Sequence, residues 1–365
     1  LGCEGFTDKT AEEVRANFDF AIRNGINFLD LYASNPTLRS NIGAALAGRR
    51  EKFVIQGHLC SVWEEGQYLR TRDPEKSLAA FEDMLARLGT DYVEIGMIHY
   101  VDAEADLREV LDGPIMRLAQ RLRSEGRIRH IGLSSHNPVV AHMAARTGLI
   151  DVLMFSVNPC YDLLPPSDDV DTLWADESYA RELHNIDPER QRLYEFCERE
   201  GIAIDVMKAY GGGDLLSDAN SPFGRPMTPV QCLEYALTRP GVAAVMAGCR
   251  SRAEIEAALA WCSATAAERD YTGALAGLDK FSWEGHCMYC GHCAPCSVGI
   301  DIAGVNKYYN LTLAQHEIPE TVREHYRLLP HHASECIACG RCERNCPFGV
   351  DIIGHMRLAA AKFGY

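Results

Sequence analysis

The chain has 365 residues, and its 51 acidic side chains outnumber its 36 lysines and arginines, which gives a net charge of −15. An acidic surface repels a phosphate backbone, so nucleic-acid binding is not expected. The composition is that of a globular protein, and neither a signal peptide nor an apolar run long enough to cross a bilayer is recognisable. We therefore expect a cytoplasmic protein without a membrane span.

Short apolar runs alternate with helix-length segments along most of the chain. The strand-like runs are residues 27–32, 52–58, 92–99, 130–134, 152–157, 202–207 and 242–247, and helix-like segments include residues 10–24, 74–88 and 189–200. Residues 1–6 offer an eighth strand. Apolar strands that alternate with helices indicate a parallel sheet covered on its faces. The pattern predicts an α/β fold, a (β/α)8 TIM barrel, over residues 1–278. A doubly wound sheet is the alternative, but no GxGxxG follows the first strand.

One long segment interrupts this alternation. Residues 163–188 follow the run 152–157 and contain Pro165, Pro166 and Trp174. Long loops at the C-terminal ends of barrel strands usually select the substrate. We expect this insertion to contact a small-molecule substrate, although a surface loop without a role would have the same composition.

Eight of the 15 cysteines lie in a tail over residues 279–365, in two similar clusters. The spacings are C-x2-C-x2-C-x2-C and C-x2-C-x2-C-x3-C-P, formed by Cys287, Cys290, Cys293 and Cys296 and by Cys336, Cys339, Cys342 and Cys346. The second is the two-cluster ferredoxin run, whose fourth cysteine ligates the other cluster. We therefore expect two 4Fe–4S clusters with exchanged fourth ligands.

Cluster one would use Cys346 with the first three cysteines of the first copy. Cluster two would use Cys296 with the first three of the second copy, although the first copy departs from the run by one residue before Cys296. Zinc is the alternative, but three evenly spaced cysteines plus a fourth, occurring twice, are poor zinc spacing. Helix-like stretches at residues 305–315 and 319–328 predict a small α-helical, ferredoxin-like domain.

Polar residues at several strand ends carry a resemblance to a known family. Asp30 ends the run 27–32, His99 ends 92–99, Ser134 ends 130–134, and Lys208 follows 202–207. Together these resemble the aldo/keto reductase family, in particular the subgroup with a C-terminal ferredoxin-like extension. The resemblance implies hydride transfer between a nicotinamide and a carbonyl, with a tyrosine as proton donor and Asp, Lys and His beside it.

Two of those four positions depart from the family pattern. Asp30 and His99 match, whereas His58 stands at the lysine position and Asn35 at the tyrosine position, with Tyr32 the nearest tyrosine. Because a histidine is only partly charged near pH 7, activation of a phenol should be weaker or pH-dependent. Tyr32 as the donor, His58 or His99 as the donor, and a repurposed site all remain open. Asp30 and the histidines could also simply satisfy one another by hydrogen bonding.

The resemblance also implies a nicotinamide site. Ser134, Ser135 and Asn158 occupy the places that hold the nicotinamide amide, and residues 207–210, with Lys208 and Tyr210, occupy the stacking position. A turn and helix start with Gly248, Arg250, Arg252 and Glu254 resembles the phosphate-binding segment, where either arginine could pair with a 2′-phosphate. NADP is therefore expected over NAD, with a solvated helix start as the alternative for the arginines.

These observations predict an iron–sulfur oxidoreductase. It would reduce carbonyls with NADP(H) and pass electrons through two 4Fe–4S clusters, with a ferredoxin or a flavoprotein as redox partner. One alternative is an electron-transfer protein with a degenerate barrel. Another is a reductase that uses a different cofactor, such as a flavin, in the same barrel mouth.

Overall fold

The computed structural model of the chain describes residues 1–276, 278, 280–313 and 318–365. In these ranges the strands are β1 (Phe28–Leu31), β2 (Val54–Leu59), β3 (Ser61–Glu64), β4 (Gln67–Arg70), β5 (Val93–Ile98), β6 (Ile128–Ser135), β7 (Val152–Ser156), β8 (Leu183–His184), β9 (Ala203–Met207), β10 (Val242–Val245) and β11 (Phe281–Ser282). The helices of the barrel region are α1 (Ala11–Arg23), α2 (Pro36–Leu46), α3 (Pro74–Leu88), α4 (Glu104–Asp112), α5 (Pro114–Ser124), α6 (Pro138–Ala145), α7 (Pro188–Glu200), α8 (Pro229–Leu237), α9 (Arg252–Leu259), α10 (Ala266–Arg269) and α11 (Thr272–Leu275). The tail helices are α12 (Ile302–Leu311), α13 (Glu320–Arg327), α14 (Arg341–Asn345) and α15 (Ile352–Phe363).

The main sheet is a parallel barrel. Seven strands lie side by side in the order β1-β2-β5-β6-β7-β9-β10. Gly2 forms bridges to Asp30 in β1 and to Gly248 beyond β10, so residues 1–3 occupy the eighth position and close the ring. The predicted first strand is therefore short, because Glu4–Phe6 already turns into a 3-10 helix. The TIM barrel expected from the sequence is confirmed.

Local sequence signals set the ends of the helices. Thr10 and Glu13 form a reciprocal capping box at the start of α1, which satisfies two backbone N–H groups that the helix itself cannot pair. Asp73 caps α3, Pro74 occupies its first turn, and Gly89 ends it with a φ of 66°. A left-handed residue at that position favours glycine. The observed α1, α3 and α7 accordingly lie within one residue of their predicted bounds.

The seven predicted strands agree with the observed ones to within two residues at each end. The antiparallel hairpin of β3 and β4 was not predicted. Each of its strands reads polar, apolar, apolar, polar, so the sequence shows no alternation with a strand period. The hairpin follows β2 directly and therefore lies at the C-terminal mouth of the barrel, where it adds aromatic side chains.

The insertion (residues 163–188) and the cysteine-rich tail are in contact. β8, inside the segment 163–188, pairs in parallel with β11 at the start of the tail. Lys307 on α12 forms an ion pair of 3.0 Å with Glu198 on α7. Phe363 stacks on Tyr326 with ring centroids 3.8 Å apart inside the tail. The tail is thus packed along the barrel side near α7 and α8.

The tail is helical, as predicted. The expected helix 305–315 corresponds to α12, which begins at Ile302, while its predicted last residues, 314 and 315, lie outside the described residues. The predicted helix 319–328 corresponds to α13. The predicted domain boundary falls at residue 279, which also lies outside the described residues. In the described parts of the chain, no helix is long and apolar enough to span a membrane.

Candidate active site and cluster-binding sites

Three predicted residues meet at the barrel mouth. Asp30 on β1, His58 on β2 and His99 directly after β5 come from neighbouring strands. His58 Nε2 lies 2.9 Å from Asp30 Oδ1, and His58 Nδ1 lies 2.8 Å from His99 Nδ1. A carboxylate accepts hydrogen bonds, so Asp30 places the His58 proton on Nε2. When both rings are uncharged, the His99 Nδ1–H donates a hydrogen bond to His58 Nδ1. The other nitrogen of His99, Nε2, then carries no proton.

Burial controls the charge of this pair. It lowers the pKa of His99 well below its ordinary value, and the imidazoles of His58 and His136 lower the pKa further. His99 is therefore uncharged near pH 7. A proton taken up under acidic conditions gives His99 a second N–H, at Nε2, and the positive charge is balanced through His58 by the Asp30 carboxylate.

Tyr32 lies against this pair but is not activated as an acid. Its ring stacks on His99 with centroids 5.6 Å apart and an interplanar angle of 2°. Tyr68 of the hairpin meets His99 edge-on at 5.7 Å. Burial and the neighbouring Glu4 carboxylate raise the pKa of Tyr32. The phenol thus keeps its proton, but gives it up less readily than a free tyrosine would.

The family's tyrosine position has a structural role here. Asn35 is the N-cap of α2, and its Oδ1 accepts a hydrogen bond of 3.0 Å from the Leu38 N–H. An asparagine at an N-cap stabilises a helix by about 1 kcal/mol relative to alanine. The side chain at this position therefore starts a helix and does not enter the site.

Two buried polar residues, which are not among the predicted site residues, extend the series of hydrogen bonds from Asp30 into the barrel. Gln56 Nε2 donates to Asp30 Oδ1 and to Asp205 Oδ2, both at 2.9 Å. Burial and the nearby Asp30 charge raise the pKa of Asp205 to about 8, so it is mostly protonated at neutral pH. The sequence does indicate these two residues, because each is a polar residue inside an otherwise apolar strand.

A second carboxylate–imidazole pair lies at the same mouth and was also missed. Asp102 Oδ2 is 2.9 Å from His136 Nδ1, while Asp102 Oδ1 accepts from the His136 N–H at 2.6 Å and from Ser135 Oγ at 3.0 Å. The Tyr100 ring lies 5.4 Å from the His136 ring. His136 directly follows Ser134 and Ser135, the two serines that the resemblance assigned to the nicotinamide amide.

The residues predicted to hold the nicotinamide amide are partly engaged by the protein. Ser135 donates to Asp102, and Asn158 holds its own turn by donating to the Lys208 carbonyl at 2.9 Å and accepting from two backbone N–H groups. Ser134 Oγ accepts from the Tyr100 N–H at 2.7 Å and keeps its hydroxyl proton. Ser134 is therefore the residue of this set best able to donate to a ligand.

Lys208 and Tyr210 lie where the insertion reaches the mouth. Lys208 Nζ is 4.5 Å from the centre of the Trp174 ring, a cation–π contact. Burial lowers the pKa of Lys208. Burial also raises the pKa of Tyr210, whose hydroxyl has no hydrogen-bond partner among the described residues. The insertion thus places the Trp174 ring next to the end of β9.

The predicted phosphate turn is only partly available. Gly248 pairs with Gly2, and the Arg250 N–H donates to Glu254 Oε2 at 2.5 Å. Arg252 pairs with Glu256 at 2.9 Å and lies over the Phe20 ring. Arg250 is exposed. The turn therefore offers Arg250 to a phosphate, while Glu254 occupies one of the backbone donors.

The eight tail cysteines surround two cavities. Cys287, Cys290, Cys293 and Cys346 line one, and Cys296, Cys336, Cys339 and Cys342 line the other. None of the eight forms a disulfide with another described cysteine. Four thiols around one cavity are a donor set that fits a 4Fe–4S cluster. The structure thus brings together the two sets that exchange their fourth cysteines.

Comparisons with known proteins agree with both parts of the structure. The sequence model of the aldo/keto reductase family matches residues 1–231, and that of a 4Fe-4S dicluster domain matches residues 286–351, which favours iron–sulfur over the zinc alternative. An aldo-keto reductase from Mycobacterium sp. (strain JLS) is 32% identical over 143 residues, which are 39% of this chain and 41% of the relative.

Two further matches cover more of the barrel. Glyoxal reductase from Bacillus subtilis is 29% identical over 223 residues, 60% of this chain and 66% of that protein. The chain thus spans less than two thirds of the length of these two curated relatives. The holo form of aldo-keto reductase AKR11C1 from Bacillus halodurans superposes with a TM-score of 0.55 at 23% identity, over 74% of this chain and 88% of that one. This likeness shows the barrel fold.

Proposed function

The chain belongs to the aldo/keto reductase family and carries a 4Fe-4S dicluster domain after its barrel, and from this premise we propose that it is an oxidoreductase that reduces small carbonyl compounds with NADP(H) and exchanges electrons through two 4Fe–4S clusters. The observation that carries the proposal is the hydrogen-bonded series Asp30–His58–His99 at the barrel mouth. In this proposal the series would act as the proton source for the reaction of the family.

Ser134 and Arg250 are the chain's own groups for the nicotinamide cofactor. The Ser134 hydroxyl is free to donate to an amide oxygen, and exposed Arg250 is free to pair with a 2′-phosphate. When bound, NADP(H) would supply or accept the hydride. Lys208 and Tyr210 would flank it from the end of β9.

The proton comes from the His58–His99 pair in this account. In the protonated pair His99 donates through Nε2 to the carbonyl oxygen, Asp30 balances the charge through His58, and the pair is neutral after the transfer. Tyr32 holds the His99 ring by stacking and keeps water from one of its faces. A histidine acid, in place of the family's tyrosine, removes the need for a lysine to lower a phenol pKa.

The two cysteine sets would each hold one cluster that carries one electron. Together the clusters would hold two electrons, the number released with one proton when one NADPH is oxidised, whereas carbonyl reduction itself would take its hydride from NADPH. Cys339 is exposed, so cluster two faces solvent, where a ferredoxin or a flavoprotein could reach it. The relative named glyoxal reductase supports small carbonyl compounds as the substrate class. We place the cluster domain at residues 279–365 and the protein in the reducing cytoplasm.

Arg250 provides a direct test of the NADP(H) proposal. In Arg250→Met we expect the dissociation constant for NADPH to rise about 10-fold or more, because a charge-assisted bond to the 2′-phosphate contributes about 1.5–3 kcal/mol. Binding of NADH, which has no such phosphate, should not change. Quenching of tryptophan fluorescence during titration with each nucleotide measures both constants.

Arg252→Met is the matched control. Arg252 lies on the same turn, but its guanidinium is held by Glu256 and Phe20, so its removal should change NADPH binding less than 3-fold or so. If wild-type protein binds neither nucleotide, the nicotinamide proposal fails. The alternative, a reductase with a different cofactor, would then be favoured by the engaged Asn158 and Glu254 side chains.

A further inference from the structure

A buried arginine of the barrel reaches into the loop of the first cysteine set. Arg239 lies between α8 and β10 and is only 1% exposed. Its Nη2 donates to the carbonyl of Met288, the residue that follows Cys287. The Tyr271 hydroxyl donates to the same carbonyl at 2.6 Å. The barrel therefore holds this loop by its backbone from a fixed position.

The Arg239 charge has no direct counter-charge among the described residues. The ion pairs of those residues do not include it, and its Nη1 finds no hydrogen-bond partner there. The guanidinium lies over the rings of Tyr235 and Tyr289, at 4.6 and 5.2 Å. Asp162, an acid that acts electrostatically on Arg239, accepts a hydrogen bond of 2.8 Å from the Tyr235 hydroxyl and forms no ion pair with the arginine.

Other acids near this loop are already engaged. Asp270 pairs with His292 at 3.1 Å, and Glu195 accepts from Gln191 at 2.5 Å, with burial raising the pKa of Glu195 to about 7. A buried charge without a partner costs several kcal/mol. A cluster bound by four thiolates is an anion, and it becomes more negative when reduced, so it would compensate this charge.

We propose that Arg239 tunes cluster one: its buried positive charge stabilises the reduced form and raises the reduction potential of the cluster held by Cys287, Cys290, Cys293 and Cys346. Net charge and hydrogen bonding near the cluster are main determinants of such potentials. The inference rests on the proposed function only in requiring that cluster one is bound. A residue of the barrel would thereby influence the reduction potential of a cluster in the tail.

The second cysteine set offers a matched comparison. Arg344 Nη1 donates to the carbonyl of Cys339 at 3.4 Å, so an arginine contacts a backbone carbonyl there too. Both residues are exposed to solvent, which screens the charge. The potential of cluster two should therefore depend on Arg344 much less than that of cluster one depends on Arg239.

The test is a redox titration of the purified holoprotein, with dithionite as reductant and the clusters followed by electron paramagnetic resonance. The variants are Arg239→Met, Arg239→Gln, Arg239→Lys and the control Arg344→Met. In Arg239→Met we expect one of two midpoint potentials to fall by at least about 59 mV, a tenfold change for a one-electron couple. Arg239→Lys should shift less, and Arg344→Met should leave that potential in place.

Iron and sulfide content decides what each result means. Neutral variants with full iron and unchanged potentials would overturn the proposal. Arg239→Gln keeps a donor for the Met288 carbonyl, so it replaces Arg239→Met if the latter loses iron. Loss of cluster one from both neutral variants, but not from Arg239→Lys, would assign the charge to cluster assembly and also overturn it. Absence of two clusters from the wild type would instead reject the proposed function.

Discussion

We expect His99→Asn to lower the rate of carbonyl reduction by about 10²–10⁴-fold, the usual contribution of a general acid. We also expect the wild-type rate to rise as the pH falls, because the proposed acid is the protonated His58–His99 pair and burial lowers the pKa of His99 below its ordinary value. The protonated fraction of His99 is already small at the ordinary histidine pKa of about 6.5, and it grows only as the pH falls well below that value. The measurement is kcat/KM for a carbonyl substrate against pH.

Tyr32→Phe is the control for this prediction. It keeps the ring that stacks on His99 and removes only the hydroxyl, so we expect less than about 10-fold loss and the same pH profile. A phenol with a raised pKa stays protonated over the whole accessible range. A wild-type rate that does not depend on pH, together with a large loss in Tyr32→Phe, would show that Tyr32 is the acid.

We expect the second large effect, on the amount of bound iron, from pairs of cysteine substitutions. If the fourth ligands are exchanged, Cys287→Ala with Cys346→Ala removes two ligands of one cluster and leaves about four of about eight iron atoms. Cys287→Ala with Cys296→Ala removes one ligand from each cluster and lowers iron binding to both. The cavities that group these cysteines are the reason for this expectation. Iron and sulfide analysis after anaerobic reconstitution measures it.

Cys262→Ala is the matched control, because Cys262 is exposed and lies outside both sets. It should retain all of the iron. The opposite result for the two double variants, with iron halved in the Cys287–Cys296 pair and lost in the Cys287–Cys346 pair, would mean that each cluster uses the four cysteines of its own repeat.

The barrel could be predicted because its strands are buried on both faces. Such strands read as continuous apolar runs, and the seven predicted runs became β1, β2, β5, β6, β7, β9 and β10. The hairpin of β3 and β4 could not be predicted in the same way, since its strands are short and do not read as continuous apolar runs. The pairing of β8 with β11 depends on residues far apart in sequence, which no local pattern indicates.

The site was predicted in part for a related reason. Asp30, His58 and His99 stand at strand ends, and parallel strands bring those ends together. The sequence could not predict the hydrogen-bond partner of each side chain. Asn158 proved to hold its own turn, and Glu254 proved to accept a backbone N–H that a phosphate would need. Hydrogen bonds of this kind depend on ångström-scale placement.

Polar residues inside apolar runs indicate hydrogen bonds between buried side chains. Gln56 and Asp205 lie at buried positions of β2 and β9, where an unpaired polar group would be costly. Their partners had to be other buried polar groups, and the barrel axis is the place where such groups meet. His136 is a similar case, because its partner Asp102 follows a different strand.

Anaerobic titration of the reconstituted protein with NADPH tests the central claim most directly. Tryptophan fluorescence reports nucleotide binding, and the visible absorbance of the clusters reports their reduction. We expect quenching together with bleaching, which would show that NADPH binds and that its electrons reach the iron. Quenching without bleaching would contradict the electron exchange, and clusters that only dithionite reduces, without any quenching, would contradict the use of NADP(H) altogether.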